Sequence, residues 1–267
     1  MMSFNNQFQN GIVILGAGNV ATHLSIALKN AGLEIKCVYS KTIEAAKKLA
    51  VKVDAHYAND IEHIPVEADL YIIAVKDEII EEIVKHIKLK YGIIVHTAGS
   101  ISIDIFKEKF ENYGVFYPLQ TFSKNRDIDF SVVPICLEAS NKVLENILFD
   151  LAKRLSKNVS IVNSDKRKKL HLAAVFACNF ANHMFSVATE ILKDTDLSFE
   201  FLKPLINETA KKAIDNDPGL AQTGPAVRND QNVIQEHLEM LKDYPEFEKI
   251  YRFVSDSIYK LKKKELI

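Results

Sequence analysis

Along the first half of the chain, short continuous apolar runs alternate with stretches in which apolar residues recur every three or four positions. Residues 12–15, 34–39, 68–75, 91–96, 114–122 and 159–162 are runs of the first kind. Such runs predict strands covered on both faces, as in a parallel sheet. Residues 132–138 read as a further strand with Pro134 marking an edge or bulge, and a weaker strand falls near 55–57. Between them, residues 20–28, 43–49, 79–87 and 143–155 carry the spacing of amphipathic helices, clearest in Leu144, Ile147, Leu148, Leu151 and Leu155. Strand and helix in alternation predict a doubly wound, mostly parallel sheet. The alternation stops at Asn163-Ser164-Asp165, a capping sequence, and everything beyond reads as helix: 166–193, 198–214, 230–242 and 245–264. The expected class is α/β, with a sheet domain over 1–163 and an all-helical domain over 164–267.

The first strand runs directly into Gly16-Ala17-Gly18-Asn19-Val20-Ala21 and then a helix. Strand, glycine turn and helix are the parts of a Rossmann-like dinucleotide site. Gly16 permits the turn, Gly18 has no Cβ to hold the backbone off a pyrophosphate, and the free amides of Asn19 and Val20 face the phosphate charge. The plainer alternative is a glycine turn and nothing more. The second strand ends in Ser40-Lys41-Thr42, where an NAD site carries Asp or Glu. A cation between two hydroxyls suits a 2′-phosphate, so these three residues favour NADP over NAD. A solvated lysine beside a helix cap would give the same letters. Because strand carboxyl ends line the groove in this topology, Ala74, Val75, His96 and Thr97 are expected beside the ribose and nicotinamide. For His96, satisfaction by local backbone is an equal alternative. Asp77 reads as a helix cap rather than an acid, and Gln120-Thr121 as a turn rather than a substrate wall.

On the long helix, His171, Val175, Asn179 and Asn182 share a stripe at 3.6-residue period. Polar side chains among Leu172, Phe176 and Phe180 are costly to bury without partners. They form either a satisfied network, a subunit contact, or a substrate site with His171 as proton donor and Asn179 holding the oxygen. Arg228, in Thr223-Gly224-Pro225-Ala226-Val227-Arg228-Asn229-Asp230, either grips a substrate carboxylate or pairs with Asp230.

Composition changes this picture little. The net charge of −1 over 267 residues leaves no electrostatic footprint for nucleic acid. Lys262, Lys263 and Lys264 read as a favourable charge at a helix end. The polar first ten residues are no signal peptide, and no apolar run approaches a membrane span, so a cytoplasmic protein without membrane contact is expected. Cys37, Cys136 and Cys178 have no C-x-x-C spacing and are expected as small buried apolar residues, with no disulfide framework and no metal set.

Taken together, G-A-G-N-V-A, Y-S-K-T, His171-Leu-Ala-Ala-Val-Phe-Ala-Cys-Asn179 and T-G-P-x-x-R-x-D resemble one family over essentially the whole chain. Its members join a Rossmann-like NADP-binding domain to a C-terminal helical domain of unknown function, number 2520. The arrangement is similar to the 6-phosphogluconate dehydrogenase superfamily, which includes ketopantoate reductase and pyrroline-5-carboxylate reductase. The resemblance implies NADPH-dependent reduction of a small carboxylate-bearing ketone or imine, in a homodimer formed through the helical domains. Hydroxyacid dehydrogenases and ketopantoate reductases of that superfamily carry a lysine one turn before the helix asparagine. Here that position is Val175, and His171 is the nearest stand-in. A binding protein that uses NADP as a signal, without hydride chemistry, is the reading from a different class.

Overall fold

In the computed structural model, which describes residues 8–265, eight strands form one sheet. They are β1 (Ile12–Leu15), β2 (Ile35–Tyr39), β3 (His56–Ala58), β4 (Leu70–Ile73), β5 (Ile93–His96), β6 (Tyr113–Pro118), β7 (Ile135–Ala139) and β8 (Val159–Ile161). Their order is β3-β2-β1-β4-β5-β6-β7-β8, and every pair is parallel except β6 with β7. The chain therefore reverses its direction of travel across the sheet between β1 and β4, leaving a crevice outside their carboxyl ends. Pro134 ends just before β7 begins, so the missing amide costs no ladder bond; its carbonyl accepts from Leu119 N at 2.8 Å.

The period of two along β1 divides the core. Ile12 and Ile14 face one layer with α1 (Asn19–Asn30), α2 (Ile43–Val53) and α4 (Lys142–Leu155), through Leu24, Leu28, Leu49, Leu148 and Leu151. Val13 and Leu15 face the other, with Ile80 and Ile83 of α3 (Asp77–His86) and Phe106. Each β1 and β4 residue is fully enclosed, which is why these strands read as unbroken apolar runs.

A helix follows β8 over Ser164–Ile191: α5 (Ser164–Ala174), a π-helical turn (Val175–Phe180) and α6 (Ala181–Ile191). Asn163 caps it by accepting from Lys166 N at 3.0 Å. The π-turn adds a residue to its turn, so the regular stripe expected for His171, Val175, Asn179 and Asn182 does not run through unbroken. By length and composition this helix is long and apolar enough to cross a bilayer, contrary to the expectation of no such run.

Two compact units divide at Cys178 and Asn179, inside the π-turn and beyond the expected 163/164 boundary. The first three turns of the helix, His171 included, therefore belong with the sheet. Arg167 holds them there. Its side chain is fully buried, with its guanidinium paired to Glu138 of β7 and donating to Ser164 Oγ and the Ile101 carbonyl. The second unit holds α6, α7 (Lys203–Asp215), α8 (Pro225–Arg228), α9 (Gln231–Met240) and α10 (Pro245–Glu265). The one-turn α8 is a departure from the loop expected there. Asp230 caps α9 through Val233 N, and His237 Nδ1 meets Tyr251 Oη at 2.8 Å. Phe201, Leu205, Ile214 and Phe253 of this unit are exposed. Cys37 and Cys136 are buried as expected, whereas Cys178 is exposed.

Candidate functional site

A cavity of about 580 Å³ lies at the carboxyl ends of the strands, within the sheet unit. Gly16, Ala17 and Gly18 reach it from β1, Ser40 and Lys41 from β2, Ala74 and Val75 from β4, Asp77 from the start of α3, and Thr97 and Gly99 from β5. Tyr117 and Gln120 come from the end of β6, and His171 from α5. The glycine turn is built as its letters imply. Gly16 has φ +130°, and a Cβ there would strike the Ala74 carbonyl. Gly18 precedes α1, and a Cβ on it would meet nothing within 4 Å. The first turn of α1 has no acidic residue, so its free amides face the cavity without competition from a carboxylate. This open cradle at a helix N-terminus fits the diphosphate of a dinucleotide.

At the β2 end of the cavity, Lys41 Nζ sits 2.9 and 3.0 Å from the two carboxylate oxygens of Glu82 on α3. Each holds the other in its charged form: hydrogen bonding to Glu82 raises the lysine pKa, and hydrogen bonding to Lys41 lowers that of the carboxyl. Thr42 does not line this cavity. It stands at the N-cap of α2 and borders an adjoining cleft with Lys48 and Lys52.

At the opposite end, Tyr117 Oη and His171 Nδ1 are 2.9 Å apart, with the rings edge to face. Gly99 makes this possible, because a Cβ there would lie 2.6 Å from the imidazole. Burial pushes the Tyr117 hydroxyl up to about 12, so it stays a hydrogen-bond donor at neutral pH. Among the described residues His171 is hydrogen-bonded through Nδ1 and not Nε2, which leaves Nε2 for a molecule in the cavity.

Four further expectations meet the structure differently. His96 is fully buried and is no part of the cavity wall. Its Nδ1 accepts from Ala98 N at 3.2 Å and its ring packs on Phe106, while burial, helped by the Arg167 charge, lowers its pKa to about 3. Asp77 is not a cap but the first residue of α3, and its carboxylate accepts from Ser100 Oγ. Asn179 and Arg228 belong to the second unit, where both side chains are exposed. Arg228 forms no ion pair among the described residues, Asp230 included.

Tyr117, Gly99 and Gln120 are cavity residues that the sequence reading passed over or took as structural. Their signal was position, since each lies at or just beyond the carboxyl end of a strand. A strap beyond Gln120 is fastened to α1, with Asn19 Nδ2 donating to the Phe122 carbonyl and His23 Nε2 2.9 Å from that of Ser123.

Comparison with known proteins agrees with this architecture. Residues 11–100 match the family model described as NADP oxidoreductase, coenzyme F420-dependent, and residues 133–258 match the domain of unknown function DUF2520. No curated protein matches the chain. A solved structure titled "putative NADP oxidoreductase", from Bacteroides fragilis, is 46% identical over 93% of this chain and 97% of its own, with a TM-score of 0.88. An imine reductase from Myxococcus stipitatus, solved with NADP+, is 16% identical over 96% of this chain and 94% of its own (TM-score 0.62). A pyrroline-5-carboxylate reductase from Coxiella burnetii is 15% identical over 96% and 98% (TM-score 0.55). The last two share the fold. The chain thus belongs to the family of the Bacteroides fragilis protein, NADP-dependent oxidoreductases in which a Rossmann-type domain is joined to a DUF2520 domain.

Proposed function

We propose that this enzyme reduces the carbonyl of a small carboxylate-bearing 2-oxo acid, in the manner of a ketopantoate reductase. The observation that carries this reading is the Tyr117–His171 pair in the wall of the cavity. NADPH, when bound, supplies the hydride to the carbon of the double bond. His171 Nε2 delivers the proton to the oxygen, completing the alcohol. In the imidazolium form that gives up this proton, Nδ1–H donates to Tyr117 Oη, which fixes the ring with Nε2 free for the substrate, and solvent restores the proton afterwards. Gly16, Ala17, Gly18, Asn19 and Val20 hold the diphosphate, Ser40 and Lys41 the 2′-phosphate, and Ala74, Val75 and Thr97 border the ribose and nicotinamide.

A cyclic imine as substrate is the second reading, supported by the shared fold with pyrroline-5-carboxylate and imine reductases. A proton donor in the site favours the carbonyl, because an imine nitrogen can arrive already protonated from solvent. The exposed apolar side chains of the helical unit support pairing with a second copy, which would also cover the apolar helix Ser164–Ile191. Three free thiols suit a reducing cytoplasm. The test follows NADPH oxidation with a panel of 2-oxo acids and cyclic imino acids. Turnover of a 2-oxo acid that is lost in His171→Ala, with NADPH affinity kept, supports the reading. Cofactor binding without turnover of any member would point to a sensor.

A further inference from the structure

Lys41 is the cation that the end of β2 brings to the cavity wall, and it is already engaged. Both carboxylate oxygens of Glu82 lie at hydrogen-bond distance from its ammonium group. The two side chains come from different elements, the β2 end and α3, and both stand well out in solvent at 60% and 50% exposure. Glu82 sits one position before Ile83 and three after Ile79, and both isoleucines line the cavity, so its carboxylate stands at the rim where the β2 end meets α3.

A phosphate arriving at Lys41 must displace this carboxylate and then remain near its negative charge. From this juxtaposition we infer that Glu82 is a specificity-determining residue. It competes with the 2′-phosphate for Lys41 and holds the enzyme's preference for NADP over NAD below what Ser40 and Lys41 alone would give. The inference rests on the assignment of the β2 end to the 2′-phosphate. It adds that a residue far along the chain, on α3, sets how strongly that end discriminates. An exposed pair contributes little in water and is screened by salt, so the effect is modest and depends on ionic strength.

The test uses two fragments, adenosine 2′,5′-bisphosphate and adenosine 5′-monophosphate, titrated by calorimetry into the full-length protein. Glu82→Gln keeps the size and the helix position of the side chain and removes its charge; a thermal melt checks that folding is unchanged. At low salt the bisphosphate should bind about three- to fivefold more tightly to Glu82→Gln than to wild type, with the monophosphate unchanged. The gain should shrink in high salt and vanish in the Lys41→Ala, Glu82→Gln double variant. Weaker bisphosphate binding in Glu82→Gln would mean that the carboxylate orients Lys41 for the phosphate, and would overturn the inference. So would an unchanged ratio of the two fragments, or an equal gain for both. Lys41→Ala alone separates the two levels. If it lowers the fragment ratio while Glu82→Gln does not alter it, only the role of Glu82 fails. If it leaves the ratio unchanged, the phosphate assignment itself fails.

Discussion

Tyr117 Oη lies 2.9 Å from Nδ1 of His171, joining β6 to the helix α5 that follows the sheet. The two residues are 54 positions apart. With Nδ1 held by the phenol, Nε2 is the ring nitrogen left for the cavity that His171 lines. Replacing His171 by Ala should lower kcat about 10²- to 10⁴-fold, the range for losing a general acid. Tyr117→Phe keeps the ring contact and loses only the hydroxyl, so its fall should be smaller, about tenfold. NADPH affinity should be unchanged in both. Steady-state kinetics beside a binding titration make the comparison, and equal kcat in wild type and His171→Ala would remove the histidine from the chemistry.

The three glycines of the cavity should respond differently to alanine. At Gly16, φ of +130° and the Ala74 carbonyl leave no room, so Gly16→Ala should lower the melting temperature. At Gly18 a methyl group meets open space, so Gly18→Ala should fold normally and lose NADPH affinity, because the space belongs to the diphosphate. Gly99→Ala should displace the imidazole and lower kcat with nucleotide affinity retained. Melting curves, binding titrations and turnover on the three variants separate these outcomes.

Arg167 and Glu138 form a buried ion pair that anchors the start of α5. Glu138→Leu leaves a fully buried guanidinium without its carboxylate and should destabilise the protein by about 3–5 kcal/mol. Replacing both residues by apolar ones should cost less than the sum of the single changes. Denaturant unfolding of the two single variants and the double variant tests this; strictly additive losses would mean that the pair is not coupled.

His96 gives stability a pH dependence of known sign. Its folded pKa is depressed from 6.5 to about 3, so the unfolded chain binds the proton more readily. The stability due to neutral burial is present above about 6.5 and is lost as pH falls toward 3, at up to about 1.4 kcal/mol per pH unit. His96→Gln, which cannot titrate, should show a shallower fall over that window in urea unfolding at stepped pH. Parallel curves for the two proteins would place the histidine's proton elsewhere.

The sheet was legible because its strands are enclosed on both faces: β1, β2 and β4 show as apolar runs within a residue or two of their ends. The glycine turn and the β2 terminus were legible as local chemistry. His96 was placed at the correct strand end, but on the wrong side of it. The two-residue period that sets Ile94 against the Phe106 layer sets His96 there too. Nothing local announces the π-turn at Val175–Phe180, whose residues would serve equally in an α-helix. Tyr117 escaped notice for a different reason. Its meaning depends on a partner brought close by the fold, and on the missing side chain of Gly99 that admits that partner.

The kinetic and binding expectations assume that the nucleotide runs along the strand ends with its reactive ring beside Tyr117 and His171. A crystal structure of the protein with NADP+ tests that most directly. The account predicts the diphosphate on the amides of Gly18, Asn19 and Val20, the 2′-phosphate at Ser40 and Lys41, and the nicotinamide within contact of the His171 imidazole. A nucleotide bound with its nicotinamide remote from His171, or with its diphosphate away from the first turn of α1, would contradict it.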